Sequence, residues 1–279
     1  MTAIIVHGGA GALEPERHDR VRAGVRAAAA VGDAILVAGG SALDAVTAAV
    51  RALEDDPEFN AGIGSALTRD GTVETDASIM CGATHRVGAV AAVPDLGNAI
   101  ALARAVLERG EHVILAGVAA WQFAAEVGIT PAPPGSLITE RARKKLLASG
   151  TVGACARDRD GRFAAATSTG GISGKRAGRV GDSPIPGAGT WADPDRALSA
   201  TGDGEAILRV ALTRSIAARG GELRAAIEAE LHELATITRG TAGVIGVDRN
   251  GVIGLQLTAS MPIAWVERSK PGDSLGYRV

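Results

Sequence analysis

Two apolar runs joined by a tight turn constrain this chain most. Thr151-Val-Gly-Ala-Cys-Ala156 leads through Asp158-Arg-Asp-Gly161 into Arg162-Phe-Ala-Ala-Ala-Thr-Ser-Thr-Gly-Gly171. An alternating run, a turn and a second apolar run predict a β-hairpin. Its first strand opens on Gly150-Thr151, directly after a polar connector that holds Pro131, Pro133 and Pro134. Breaking the bond before Thr151 would leave a free α-amine beside its hydroxyl. Such an amine, with a reference pKa near ~8, can act as base for its own side chain. The plainer alternative is a β-branched residue that starts a strand, and this stretch alone leaves both open.

Composition limits the rest. The chain has 279 residues, 46% hydrophobic and 22% charged, as in an ordinary globular protein of one large or two small domains. Aromatic residues make up only 3%, so Ala, Val, Leu and Ile must build the core. A formal net charge of −2 gives no basic footprint for nucleic acid. No apolar run is long enough to span a bilayer, and no secretory leader is recognisable, so the expectation is a cytoplasmic protein without a membrane partner. Cys81 and Cys155 lack disulfide or metal spacing and read as small core residues. The five histidines form no HExxH pattern.

Along the chain, Ala3 to Val6 reads as a buried strand ending at His7-Gly-Gly-Ala-Gly-Ala12. A dinucleotide loop fails there because Glu14 replaces the third glycine, and no G-x-S-x-G elbow occurs. A helix spans 18–38, and Ser41 caps another with Asp44 at the capping-box position. That helix ends in Glu54-Asp-Asp-Pro-Glu-Phe-Asn-Ala-Gly-Ile-Gly64, where oxygens could suit a hard cation or merely form a solvated acidic turn. Residues 65–68 and 72–80 read as a second hairpin. A strand at 85–93, a helix at 97–109, a strand at 112–115 and a helix at 118–127 follow. The connector is 128–149, with a basic stretch at 141–145. Gly174-Lys175 fails as a phosphate loop, because Thr169 and Arg176 stand at required positions. Further on come a strand at 197–202, a helix from 203 to about 218, a helix at 223–238, and a third hairpin from 242–247 and 252–257. Strands and helices come in groups rather than in βαβ alternation, which points to packed sheets with helical layers.

Hydrolysis of an amide on a free amino acid needs more than a nucleophile. A hydroxyl and a backbone N–H at a strand-to-helix junction make an oxyanion hole, and Thr201-Gly202 offers both. A zwitterion needs a guanidinium and a carboxylate, and Arg179 and Asp182 sit three apart in one glycine-rich loop. Either pair also reads as local structure, a salt bridge or a strand end.

Several segments together resemble the plant-type (type III) L-asparaginase/isoaspartyl aminopeptidase family. They are Gly150-Thr-Val-Gly153, Ala164-Ala-Ala-Thr-Ser-Thr-Gly-Gly171, Gly178-Arg-Val-Gly-Asp-Ser-Pro184 and Ala200-Thr-Gly-Asp-Gly-Glu205. His7-Gly-Gly-Ala-Gly-Ala12, Ser41 to Val46, Phe59 to Gly64 and Asp76 to Met80 match as well, in the same order, over about residues 3 to 215.

The resemblance implies an N-terminal-nucleophile hydrolase of the α+β class, a four-layer αββα sandwich. A precursor would cleave itself between Gly150 and Thr151 into an α subunit (1–150, with a C-terminal linker of about 128–150) and a β subunit (151–279). Together these form one domain, and two αβ units pair as a homodimer. By motif, Thr151 is the nucleophile, Thr169 assists it, Thr201 and Gly202 form the oxyanion hole, and Asn60 lies in the wall of the site. Arg179 and Asp182 hold the substrate's carboxylate and ammonium, and Gly204 lines the ammonium side. A structural sodium loop maps onto Leu53, Glu54, Asp56, Phe59, Ala61 and Ile63, mostly through backbone carbonyls, and no organic cofactor is implied. The implied reaction releases L-aspartate from L-asparagine and β-aspartyl dipeptides. The sequence departs from the family's pattern in its short connector, in Cys81 where Asp is usual, and in Gln256-Leu-Thr-Ala-Ser-Met-Pro262. Other readings are an unprocessed relative that binds amino acids, an amidase of this type with another amide substrate, a phosphate-binding protein, and Thr2 as a rival nucleophile.

Overall fold

In a computed structural model, which describes residues 1–144 and 150–279, the strands are β1 (Ala3–His7), β2 (Glu74–Cys81), β3 (Val87–Pro94), β4 (Ile114–Ala116), β5 (Val152–Arg157), β6 (Phe163–Thr169), β7 (Thr190–Ala192), β8 (Arg196–Gly202), β9 (Ala242–Asp248), β10 (Val252–Gln256), β11 (Ile263–Glu267) and β12 (Lys270–Ser274). The helices are α1 (His18–Val37), α2 (Ala42–Glu54), α3 (Ala99–Arg109), α4 (Gly117–Glu126), α5 (Glu140–Arg143), α6 (Gly204–Val210), α7 (Leu212–Arg219) and α8 (Leu223–Thr238). Among the described residues, one sheet has eight strands in the order β12-β11-β1-β5-β6-β2-β3-β4. The other has four, in the order β10-β9-β8-β7.

Period-two alternation explains why these sheets stack. On the larger sheet Ile4, Val6, Val152, Ala154, Ala164, Ala166, Ala77 and Ile79 face α1, α2 and α3 in one core. Their neighbours Ala3, Ile5, Cys155, Phe163, Ala165 and Met80 turn the other way and meet Ala197, Ile245 and Val247 of the smaller sheet. That sheet's outer face, with Leu198, Ala200 and Val244, packs on α6, α7 and α8. The result is the expected helix–sheet–sheet–helix sandwich. The small inward side chains let the two sheets approach without many aromatics.

The central hairpin forms as expected, with β5 paired antiparallel to β6 from Val152↔Ser168 to Arg157↔Phe163. Ser41 does cap α2, accepting from the Asp44 N–H at 3.1 Å and donating to its carboxylate at 2.6 Å. Four local expectations need correction. Residues 65–68 form no strand; only a single bridge, Leu67↔Val73, pairs them with the next segment. The helix expected from 203 to about 218 is broken at Ala211, whose left-handed φ of 48° separates α6 from α7. Cys81 is only partly buried, whereas Cys155 lies in the intersheet core. The strands β7, β11 and β12 were not anticipated from sequence. The basic stretch at 141–145 begins in α5, and residues 145–149 lie outside the described residues.

Candidate active site

Three rows of intersheet residues lead to Thr151. The first is apolar, with Ile5, Cys155, Ala165 and Met80 in register. Two residues further along the strands come His7, Gly153, Thr167 and Ser78, and beyond them Thr151, Thr169 and Asp76. The smaller sheet repeats the change, from Ala192 and Ala197 to Thr190 and Ser199 and then to Thr201. The intersheet layer thus turns from apolar to hydroxyl-bearing to reactive as the strands approach one end of the sandwich.

Thr151 is buried, at 7% exposure, and its Oγ1 donates to Thr169 Oγ1 at 3.3 Å and lies 3.5 Å from Ser183 Oγ. The carbonyl just before it is held by two donors. Asn60 Nδ2 donates to Gly150 O at 2.6 Å and Thr169 Oγ1 donates to it at 3.0 Å. Asn60 is itself fixed, since its Nδ2 also donates to Gly171 O at 2.6 Å and its Oδ1 accepts from Ala66 N at 2.7 Å. An amide carbonyl that accepts two such bonds is polarised before any reaction begins.

A cleft beside Thr151 is lined by Gly150, Thr169, Gly171, Ile172, Arg179, Asp182, Gly202 and Gly204. Of the residues picked out from sequence, Thr169, Arg179, Asp182, Gly202 and Gly204 thus share a cleft with Thr151, and Asn60 reaches the carbonyl before it. Asp182 is buried and its Oδ2 has no hydrogen-bond partner. Burial pushes its carboxyl up to about 7, while the Arg179 guanidinium pulls the other way. A side-chain carbon on Gly204 would lie 2.8 Å from Asp182 Oδ1 and 3.0 Å from Arg179 Nη2, so only glycine leaves both groups open to a small ligand. Thr201 is fully buried behind Gly202, and its Oγ1 accepts from Ala10 N at 3.1 Å. Ser260 holds that Gly8–Ala12 loop in turn, because Ser260 and Gly11 exchange backbone bonds of 2.9 Å and Ser260 Oγ donates to Gly11 O. The divergent segment 256–262 therefore buttresses the site from behind.

Sequence reasoning missed three neighbours. Glu205 grips Arg179 through two bonds, accepting from Nε at 2.9 Å and Nη2 at 2.6 Å. Its place beside Gly204 was a usable signal. Ser183 follows Asp182 directly. Asp76 lies opposite Thr169 in the β2–β6 register, with Oδ1 accepting from Ala92 N at 2.6 Å and Oδ2 unpartnered.

The loop after α2 reaches this cleft through Asn60. Glu54 is no solvated acid: it is fully buried, and its Oε1 accepts from Ser168 Oγ at 2.6 Å and from Ile100 N at 3.0 Å. Burial raises its carboxyl to about 8. The Asp56 carboxylate is engaged by Arg20 and by the Glu58 N–H. Glu54 Oε1 and the Asp56 carboxylate are thus engaged, Glu54 Oε2 is buried without a partner, and the loop also offers neutral backbone carbonyls, among them the last-turn carbonyls of α2. That donor set fits a hard monovalent cation.

A four-layer sandwich with a threonine opening a central strand beneath a polarised carbonyl defines the class of N-terminal-nucleophile hydrolases. The chain matches the family described as Asparaginase over residues 1–149 and 145–274. It is similar to the isoaspartyl peptidase/L-asparaginase of Bos taurus, at 44% identity over 98% of this chain and 96% of that protein. It is similar to the Homo sapiens protein of the same description, at 45% identity over 96% and 94% of the two chains. The plant-type L-asparaginase of Pyrobaculum calidifontis is 44% identical over 98% of each. The chain belongs to the asparaginase family.

Proposed function

We propose that this protein cleaves itself before Thr151 and then releases L-aspartate from L-asparagine and from β-aspartyl dipeptides. The observation that carries this reading is the Gly150 carbonyl, bonded by Asn60 and Thr169 with the Thr151 hydroxyl next to it. In the first step Thr151 Oγ1 attacks the Gly150 carbonyl carbon. Asn60 and Thr169 stabilise the oxyanion, the C–N bond breaks, and the nitrogen takes up the proton that Thr151 Oγ1 gives up, becoming the α-amine of Thr151. Water hydrolyses the remaining ester, which frees the hydroxyl and leaves Gly150 as a carboxylate.

In the mature site the α-carboxylate of substrate pairs with Arg179, which Glu205 holds in place. The α-ammonium pairs with Asp182, whose free Oδ2 faces no protein donor. The side-chain carbonyl lies against Thr201 Oγ1 and the Gly202 N–H, which stabilise the second oxyanion. The Thr151 amine takes the proton from its own hydroxyl as Oγ1 attacks, and passes it to the leaving nitrogen. Ammonia leaves from asparagine, and an amino acid or peptide amine leaves from a β-aspartyl peptide. Both substrates share the same α-amino, α-carboxylate end, so one set of charges serves both. The resulting β-aspartyl ester on Thr151 is hydrolysed to aspartate.

Related proteins of the same description are named for both activities, which supports this pair of substrates. The test is aspartate release from L-asparagine and a β-aspartyl dipeptide. Wild type is expected to turn over both and Thr151→Ala neither, whereas turnover by Thr151→Ala would remove the mechanism.

Two subsidiary readings go with it. The loop carbonyls of Leu53, Glu54, Phe59, Ala61 and Ile63, with Asp56 shaping the turn, hold a sodium ion that stiffens the floor under Asn60. Sodium chloride is then expected to raise Tm above choline chloride at equal ionic strength, and equal melting would argue against a bound ion. Two processed units pair as a homodimer, so the native mass should equal two whole chains; a mass of one would exclude pairing. No helix among the described residues is long and apolar enough to cross a membrane.

A further inference from the structure

The row of residues just behind Thr151 is filled by hydroxyls and one imidazole, whereas the next row away from the nucleophile is apolar. His7 Nε2 lies 2.9 Å from Ser199 Oγ, and Ser199 Oγ lies 2.8 Å from Thr167 Oγ1. Thr190 Oγ1 lies 2.6 Å from Thr167 Oγ1, and Ser78 Oγ lies 2.7 Å from Thr190 Oγ1. The chain ends where Ser78 Oγ donates to the Ser183 backbone carbonyl at 2.6 Å. All five side chains belong to fully or almost fully buried residues. They come from five different strands, β1, β8, β6, β7 and β2, so the chain crosses both sheets. A side-chain carbon on Gly153 would fall 2.1 Å from Ser199 Oγ and 2.5 Å from His7 Nε2, so the sequence leaves a gap there for this contact.

The hydroxyls have more than one acceptor within reach: Thr167 Oγ1 also donates to Gly189 O at 3.2 Å and Thr190 Oγ1 to Ser183 O at 3.3 Å. Each hydroxyl holds one proton, so it serves one of these acceptors at a time. Burial drives the imidazole pKa of His7 down to about 3, which keeps the ring neutral with a single proton; a nearby Thr151 carbonyl opposes this without offsetting it. Nδ1 has no partner in hydrogen-bonding geometry. The contact between Nε2 and Ser199 Oγ forms with either neutral tautomer of the ring. Ser78 Oγ reaches both Ser183 O and Thr190 Oγ1, Thr190 Oγ1 donates to Thr167 Oγ1, and Thr167, Ser199 and His7 Nε2 complete the row. Losing one hydroxyl removes hydrogen bonds from a buried polar row.

Ser183 is where this line meets the reaction. Its Oγ is 3.5 Å from the Thr151 hydroxyl and it follows Asp182 directly. The Asp182 carbonyl is held by backbone N–H groups of Ile185 and Gly189, so the side-chain hydroxyls are what fix the Ser183 carbonyl. We infer that His7, Ser199, Thr167, Thr190 and Ser78 are positioning residues that hold Ser183, and through it the Asp182 carboxylate and Thr151 hydroxyl, in catalytic register. His7 and Ser78 precede Thr151 in sequence and the other three follow it, so the chain also ties together the two fragments that cleavage would create. This inference rests on the hydrolase reading above.

The test is a double-mutant cycle on asparagine turnover with Ser199→Ala at the far end and Ser78→Ala at the near end, together with Thr190→Val and Thr190→Ser. Ser199 touches no group in the cleft, so a merely local role predicts no kinetic effect. The chain predicts a fall in kcat/KM of roughly three- to tenfold for each of Ser199→Ala, Ser78→Ala and Thr190→Val, the effect of one buried hydrogen bond. Most of the loss should appear as raised KM, and the double variant should be little worse than the worse single one. Thr190→Ser should recover most of the activity that Thr190→Val loses. Wild-type kinetics in Ser199→Ala, additive losses in the cycle, or equal impairment of both Thr190 variants would overturn the inference. Should Thr190→Val fail to fold, the Ser78–Ser199 cycle decides alone. Wild type run alongside separates the two levels: no turnover by wild type defeats the hydrolase reading, whereas normal turnover with unaffected variants defeats only the chain.

Discussion

At the scale of single residues, the site depends on charges that are buried before substrate arrives. Asp182 illustrates this best. Its carboxyl is raised to about 7 by burial, so the empty site holds it protonated in acid. A substrate ammonium needs the ionised form, so binding below pH 7 must release that proton. Affinity for L-aspartate, the proposed product, should therefore weaken several-fold between pH 7.5 and 6, approaching tenfold per unit well below the transition. Inhibition constants measured across that range check this, and Asp182→Asn should lose both the affinity and the slope. A flat profile in wild type would show that Asp182 does not meet the ammonium. The convergence of Thr151, Arg179 and Asp182 on one cleft could be expected from the chain because each sits in a recognisable motif. Glu205 and Asp76 escaped because their partners come from other loops and strands, and only tertiary structure joins them.

At the scale of elements, regular alternation made the long strands legible and its absence hid the short ones. β5 and β6 stand out because runs of six and seven residues repeat the two-residue period that their two-sided burial needs. β7 has three residues, too few to carry a period, although its Thr190 lies in the intersheet layer. The break between α6 and α7 was invisible because no Gly or Pro marks it. Ala211 takes a left-handed conformation there at φ 48°, a strained choice for a residue with a side-chain carbon. Ala211→Gly should relieve that strain and stabilise the fold by about 0.5–1 kcal/mol, after the entropy glycine loses on folding. Urea unfolding measures it, and a lower midpoint in the variant would mean that Ala211 packs for more than it strains.

At the scale of the whole molecule, the sandwich brings both halves of the chain to one end of the intersheet layer. Asn60 and the Gly8–Ala12 loop come from before the proposed scission, and Thr169, Asp182 and Thr201 from after it. Neither half holds a complete site, since β1 lies between β5 and β11 and β2 lies beside β6. The fragments would therefore stay joined after cleavage by the sheet and by the hydroxyl chain behind the nucleophile. The layer order was legible from grouped strands and helices together with the family resemblance. The polar row between the sheets was not, because it is assembled from single residues on five strands. The account turns on one bond, and the mass of the purified protein under denaturing conditions, with N-terminal sequencing, tests it most directly. Two fragments are expected, the second beginning at Thr151, with Thr151→Ala remaining whole. A single unbroken wild-type chain that still hydrolyses asparagine would contradict it.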